Sequence, residues 1–169
     1  MAAKYKKVEY DVPRLFAFDS FAGLPERHGI DVYPTHPRWV KGAMAVSLDE
    51  FNRIMNDHGH VKEDYNVIPG FYEQTLVGRN PRDYGISKAV FAFIDCDLYA
   101  STTLALTFVG EVLGNGSILA FDDWHCFGSN PNRGEQKAFS EFAASRPDLV
   151  FSDFLTFGWH GKSFIVNRR

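Results

Sequence analysis

Apolar residues along this chain come in blocks of strand length separated by longer stretches of helical or broken pattern. Residues 14–18 (RLFAF) are a short apolar run ending at Asp19 and predict a buried strand. From 22 to 46, Gly, Pro and His interrupt any period and predict a long loop. Ser47 and Glu50 then match a Ser-x-x-Glu capping box, and Leu48, Phe51, Ile54 and Met55 fall on one helical face. YNVIPG (65–70) reads as a strand stopped by Pro69-Gly70. AVFAFID (89–95) is apolar without alternation, which predicts a strand buried on both faces, as in a parallel sheet. A helix is expected over 101–113, with Leu104, Phe108 and Val112 every fourth residue, ended by Asn115-Gly116. SILAFDD (117–123) repeats the buried-strand pattern, and 134–145 predicts a helix with Ala138, Phe139 and Phe142 inward. The tail holds two β-rich runs around Gly158-Trp159-His160-Gly161, a hairpin signal. The predicted fold class is α/β: a mostly parallel sheet with an antiparallel C-terminal hairpin.

Composition narrows the function classes. The 169 residues make one domain, 45% apolar and 23% charged. A net charge of −3 lacks the basic excess of nucleic-acid partners. No apolar run approaches the roughly 20 residues of a membrane span, and MAAKYKKVEYDVPR has no apolar core of a secretory leader. Cys96 and Cys126 are too few for a disulfide framework, so a reduced, cytoplasmic setting is expected.

The chemistry is expected where strands end. In open α/β sheets, ligands bind beyond the carboxyl ends of the strands. Three apolar strands here run into acids: Asp19-Ser20, Asp95-Cys96-Asp97 and Asp122-Asp123. Such acids are costly unless paired, hydrogen-bonded or bound to a cation. Adjacent strands would bring Asp95, Asp122 and Asp123 together, and their oxygens suit Mg²⁺, Mn²⁺ or Ca²⁺ rather than zinc. A strand-end Asp is also often a helix cap or a loop solvator, and Asp97, a few residues before the helix near Ser101, reads as structural. His125 is a candidate base or further ligand. His36, His58 and His60 lie in or beside loops and are weaker candidates. Cys96 lies between two acids, which should raise its thiol pKa and argues against a cysteine nucleophile. Phe71, Tyr72, Trp124 and Trp159 either wall a substrate pocket or belong to the core.

Four blocks come in register: FDSFAGLPE (18–26), GFYEQTL (70–76), FIDCDLYAST (93–102) and NGSILAFDDW (115–124). Together they resemble the macrocin O-methyltransferase (TylF-like) family of S-adenosylmethionine-dependent enzymes, and KGAMAVSLDEF (41–51) resembles a further segment of it. The resemblance implies a Rossmann-like class I methyltransferase sheet with a reversed final strand. It implies S-adenosylmethionine as cofactor, Mg²⁺ (or Mn²⁺), and a small-molecule acceptor: a hydroxyl of a sugar or natural product. Carried over by motif, Asp95, Asp122 and Asp123 would hold the metal. Asp19 would accept from the cofactor's ribose, with Ser20, Phe71, Tyr72, Glu73 and Asp95 around it. Asp95 and His125 are the catalytic candidates.

The N-terminus departs from the family pattern. The family opens with a strand and a Gly-rich turn facing the cofactor. Here 17 residues precede Phe18 and none is Gly. The expectation is a single domain over 1–169 without that first strand, leaving a gap in mid-sheet that favours homo-oligomers. Two other readings compete. One is a methyltransferase-like fragment that binds no cofactor. The other is a glycosyltransferase using FIDCD as an Asp-x-Asp site for Mn²⁺ and a nucleotide sugar.

Overall fold

The structure is a computed structural model that describes residues 14–33 and 39–169. Strand β1 (Leu15–Asp19) pairs in parallel with β2 (Tyr65–Pro69). Helix α1 (Leu48–Asp57) connects them. Its Ser47 hydroxyl accepts from the Glu50 N–H at 3.2 Å, one half of the expected capping box. The Glu50 carboxylate instead pairs with Arg53. Phe51 stacks edge-on against Phe21 and Tyr65, but no residue of α1 is fully buried.

After the short helix α2 (Tyr72–Thr75), β3 (Phe91–Ile94) pairs in parallel with β4 (Ser117–Phe121) across helix α3 (Tyr99–Val109). Helix α4 (Gly134–Ser145) leads to the hairpin of β5 (Leu149–Phe157) and β6 (Gly161–Arg168). Strand β6 inserts antiparallel between β4 and β5, so the order is β3-β4-β6-β5. The core lies between this sheet and helices α3 and α4. Leu106, Leu119, Phe121 and Val166 in it are fully buried.

Strands β1 and β3 share no ladder among the described residues, which form two separately bonded sheets. A cavity of about 690 Å³ lies between them, lined by Leu15, Phe18, Phe91, Phe93 and Phe108. The two strands end on the same side. Tyr72 donates its hydroxyl to the Phe18 carbonyl at 3.2 Å, and both Asp19 and Asp95 bear on that hydroxyl. The expectation for 89–95 is corrected here. The strand is shorter, and Phe91 and Phe93 are 59% and 48% exposed. Ala92 and Ile94 face the helices, while among the described residues β3 pairs on one edge alone and Phe93 on its other face meets the Phe157 ring, 6.3 Å away. Strand β4, paired on both sides, is buried as expected.

The cap of α3 comes from a distant loop. Asp31, in a single 3₁₀ turn (Gly29–Asp31), accepts from the Tyr99 N–H at 2.7 Å and the Ala100 N–H at 3.1 Å. Asp97 does not cap this helix; its structural role lies in the turn after β4. The Asp31 carboxylate is buried and satisfies two free helix donors at the positive helix end. Asp31→Ala is expected to destabilise the chain by about 1–3 kcal/mol in urea unfolding, and Asp31→Asn by less. Equal midpoints for wild type and Asp31→Ala would contradict this role.

Candidate metal and cofactor site

Three strand-end acids meet on one rim. Strand β3 delivers Asp95, and the Asp122 N–H donates to the Ile94 carbonyl at 2.9 Å, extending the β3–β4 ladder one residue past β4. Parallel register therefore places Asp122 and Asp123 beside Asp95. One oxygen from each of Asp95, Asp122 and Asp123 lies within 4.8 Å of the others. Asp95 reaches solvent, while Asp122 and Asp123 are half-buried. An all-carboxylate set of this size fits a hard divalent cation such as Mg²⁺ or Mn²⁺.

Crowding shapes the protonation of these acids. Desolvation, reinforced by Asp122, Asp123 and Asp19, pushes the Asp95 carboxyl up to about 6 against the pull of His160. Asp97 is pushed to about 7, first by burial and then by Asp123 and Asp95. Burial also raises Asp123, opposed by the Cys126 thiol, which donates to its Oδ1 at 3.0 Å. No cation among the described residues forms an ion pair with Asp95 or Asp123. The cluster thus carries unspent negative charge that a bound cation would relieve.

The turn after β4 is hung on side chains from other elements. His160, in the hairpin turn, places Nδ1 2.6 Å from the Asp122 carbonyl and 3.5 Å from Asp122 Oδ1. Gln136 donates to the Trp124 carbonyl at 2.6 Å. Glu135 accepts from the Asp123 N–H at 2.9 Å. The Asp97 N–H donates to the Asp123 carboxylate, and the Trp39 indole donates to that of Asp97. Asp97 itself sits at a left-handed φ of 57°, uncommon outside Gly. Trp39, Leu24, Leu98 and Phe127 form a second small core that ties the long loop to this rim.

The other candidates divide. Asp19 is exposed at the end of β1, and its Oδ1 accepts from the Phe21 N–H. The Ser20 hydroxyl is engaged within its own loop, donating to the Gly23 carbonyl at 2.8 Å. Phe71 precedes α2; Tyr72 packs between the strand ends, and Glu73 is exposed. His125 points its Nδ1 at Ser129 Oγ, 2.9 Å away, and it is His160 that touches Asp122. His36 lies outside the described residues. Cys96 is raised as expected, but burial is the main cause, followed by Glu135. Trp124 belongs to the core with Phe121, Phe139 and Phe164, whereas Trp159 is 75% exposed.

Sequence reading passed over His160 and Glu135. His160 sits in a segment whose only visible signal was a turn. Glu135 carries the helical pattern's polar signal and gives no hint that its carboxylate is buried.

Parallel strands ending in acids, with a reversed last strand inserted beside the fourth, define a Rossmann-like methyltransferase fold. The O-methyltransferase NovP superposes with a TM-score of 0.68 at 20% identity, covering 92% of this chain and 60% of that one. CalS11, a calicheamicin methyltransferase, gives 0.66 at 24% identity, covering 90% and 60%. The chain belongs to the macrocin O-methyltransferase (TylF) family, whose sequence profile matches residues 1–146. A curated relative, the 8-demethyl-8-(2,3-dimethoxy-alpha-L-rhamnosyl)-tetracenomycin-C 4'-O-methyltransferase of Streptomyces olivaceus, is 28% identical over 116 residues. That match covers 66% of this chain and 42% of the relative. The chain thus spans less than two thirds of the relatives it matches. Membership favours the methyltransferase lineage over the glycosyltransferase reading of FIDCD. No helix among the described residues is long and apolar enough to cross a membrane.

Proposed function

We propose that this chain carries the site of a divalent-metal-assisted O-methyltransferase acting on a hydroxyl of a sugar or natural product. The observation that carries the reading is the convergence of Asp95, Asp122 and Asp123 at adjacent strand ends, on the same rim as Asp19. When bound, Mg²⁺ supplies Lewis-acid polarisation of the acceptor hydroxyl and S-adenosylmethionine supplies the methyl group. Asp95, Asp122 and Asp123 would hold the cation. Asp19 would orient the cofactor ribose beside Ser20, Phe71, Tyr72 and Glu73. Asp95 and His125 are the candidate catalytic groups, with His125 or one of the rim acids as base, and His160 fixes the Asp122 backbone. The long loop, pinned by Asp31 and by Trp39, would wall the acceptor side. Holding acceptor and donor in line is where much of the rate would come from. The test is formation of S-adenosylhomocysteine from S-adenosylmethionine and a rhamnosyl-bearing acceptor, with and without Mg²⁺. Metal-dependent turnover supports the reading; none with any hydroxyl acceptor sinks it.

The gap between β1 and β3 favours a second reading, a methyltransferase-like domain that does not hold the cofactor alone. Unpaired edges recruit strands, and Phe91 and Phe93 leave apolar surface on this one. Self-association through this edge is expected. Sedimentation velocity should show a dimer or larger species that Phe93→Lys returns to monomer. A wild-type monomer at high concentration would contradict it.

Protons and cation compete for Asp95. Its carboxyl lies at about 6 in the folded chain, above its ordinary 3.8. Between those values the folded chain keeps a proton that the unfolded chain has released. For this group, metal-free stability therefore falls as pH rises through the window. Cation affinity rises over the same window, because the oxygen must be free of its proton to bind. Mn²⁺ binding followed by electron paramagnetic resonance should be about tenfold weaker at pH 5 than at pH 7. A flat profile would remove Asp95 from the site.

A further inference from the structure

We propose that Glu135 is a positioning residue of the cation site, its carboxylate fixing the Asp123 backbone so that the Asp122–Asp123 pair faces Asp95. The inference rests on the reading of that cluster as a cation site.

Glu135 is an unusual acid. It is 1% exposed, in the first turn of α4. Its Oε2 accepts from the Asp123 N–H at 2.9 Å. Its Oε1 is buried with no hydrogen-bond partner. Burying a carboxylate with one oxygen unpaired is unfavourable, and an apolar side chain of that size would fill the space without the penalty. An apolar side chain would, however, leave the Asp123 N–H without this acceptor. The positive end of α4 offsets part of the burial, being where an acid is best tolerated. Like charge from Asp123 and Asp97 opposes it.

The local backbone is built to put Glu135 there. Gly134, the residue before it, has a φ of 51°, and a Cβ at that position would lie 2.4 Å from the Phe127 ring. Phe127 is buried against Trp39, so it has little room to yield. The chain can therefore enter α4 at this angle only with glycine, and that entry aims Glu135 under the turn after β4. Groups that orient ligands without touching a metal typically change its affinity 10- to 100-fold when replaced.

Two substitutions separate reach from charge. Glu135→Gln keeps the length and an acceptor oxygen but drops the charge. Glu135→Asp keeps the charge but is one methylene too short to reach the Asp123 N–H. The full chain would be titrated with Mn²⁺ by electron paramagnetic resonance, and amide exchange of Asp123 followed by nuclear magnetic resonance. Glu135→Gln is expected to bind Mn²⁺ within about threefold of wild type and keep the Asp123 amide protected. Glu135→Asp is expected to bind about tenfold or more weakly, with that amide exchanging faster. The reverse ranking would overturn the proposal in favour of a purely electrostatic role. Wild-type affinity and protection in both variants would overturn it outright. The amide is read without metal, so a wild type that binds no Mn²⁺ but protects Asp123 through Glu135 sinks the cation reading separately from the backbone contact. Glu135→Met, which fills the space without an acceptor, should match Glu135→Asp if it folds; the first two variants decide the matter if it does not.

Discussion

Asp122→Asn and Asp123→Asn are each expected to weaken Mg²⁺ binding by on the order of a hundredfold. Asparagine keeps the volume and one carbonyl oxygen but removes a negative charge and one acceptor. At Asp123 that oxygen can still accept from the Cys126 thiol and the Asp97 N–H, so the turn should keep its shape. Folding should respond with the opposite sign. The metal-free cluster crowds Asp95, Asp97, Asp122 and Asp123 together, and neutralising one member relieves repulsion. Both variants should therefore melt at or above the wild-type temperature without Mg²⁺ and gain less when it is added. Opposite signs in one experiment distinguish acids kept for binding from acids kept for structure. Unchanged Mg²⁺ affinity in both variants would remove the metal assignment, and lowered metal-free stability would mark the acids as structural.

Phe121→Ala should have the largest effect on stability. Phe121 is fully buried in the last position of β4, with ring centroids 5.1 Å from Trp124, 5.4 Å from Phe139 and 6.1 Å from Phe164. Truncation removes most of an aromatic side chain and opens a hole that rings packed on three sides fill poorly. A loss of about 3–5 kcal/mol is expected, against a typical total of about 5–15 kcal/mol. The variant should also bind Mg²⁺ weakly, because Asp122 and Asp123 continue directly from the strand that Phe121 anchors. Denaturant unfolding gives the first quantity and calorimetric titration the second. A loss below about 1 kcal/mol would mean that the ring cluster collapses around the hole instead.

Local pattern and physical outcome agree where burial follows from one element's own residues. The apolar block 117–121 reads as a buried strand and is one: it lies inside the sheet between β3 and β6, and Leu119 and Phe121 pack into the core with α3 and α4. The block 89–95 reads the same and is not, because burial of Phe91 and Phe93 depends on a neighbour that a local window cannot see. The acids of the rim were legible as strand ends, and parallel pairing of β3 with β4 accounts for their meeting. Contacts set by long-range geometry were not legible. Asp31 reaching α3 from the loop, His160 folding back onto Asp122 and Glu135 buried under Asp123 each join segments that share no sequence signal. Asp97 was legible as structural from its place before a helix, but not the form of the role: it does not cap α3, and from a left-handed backbone its N–H meets Asp123.

The most direct test is calorimetric titration of the 169-residue chain with S-adenosylhomocysteine, with and without Mg²⁺. Saturable one-to-one binding, weakened by Asp19→Ala, is the expected result and would make the search for the hydroxyl acceptor the next step. Absence of binding to a chain shown to be folded would contradict methyl transfer by this chain alone and leave the cofactor-free reading in its place.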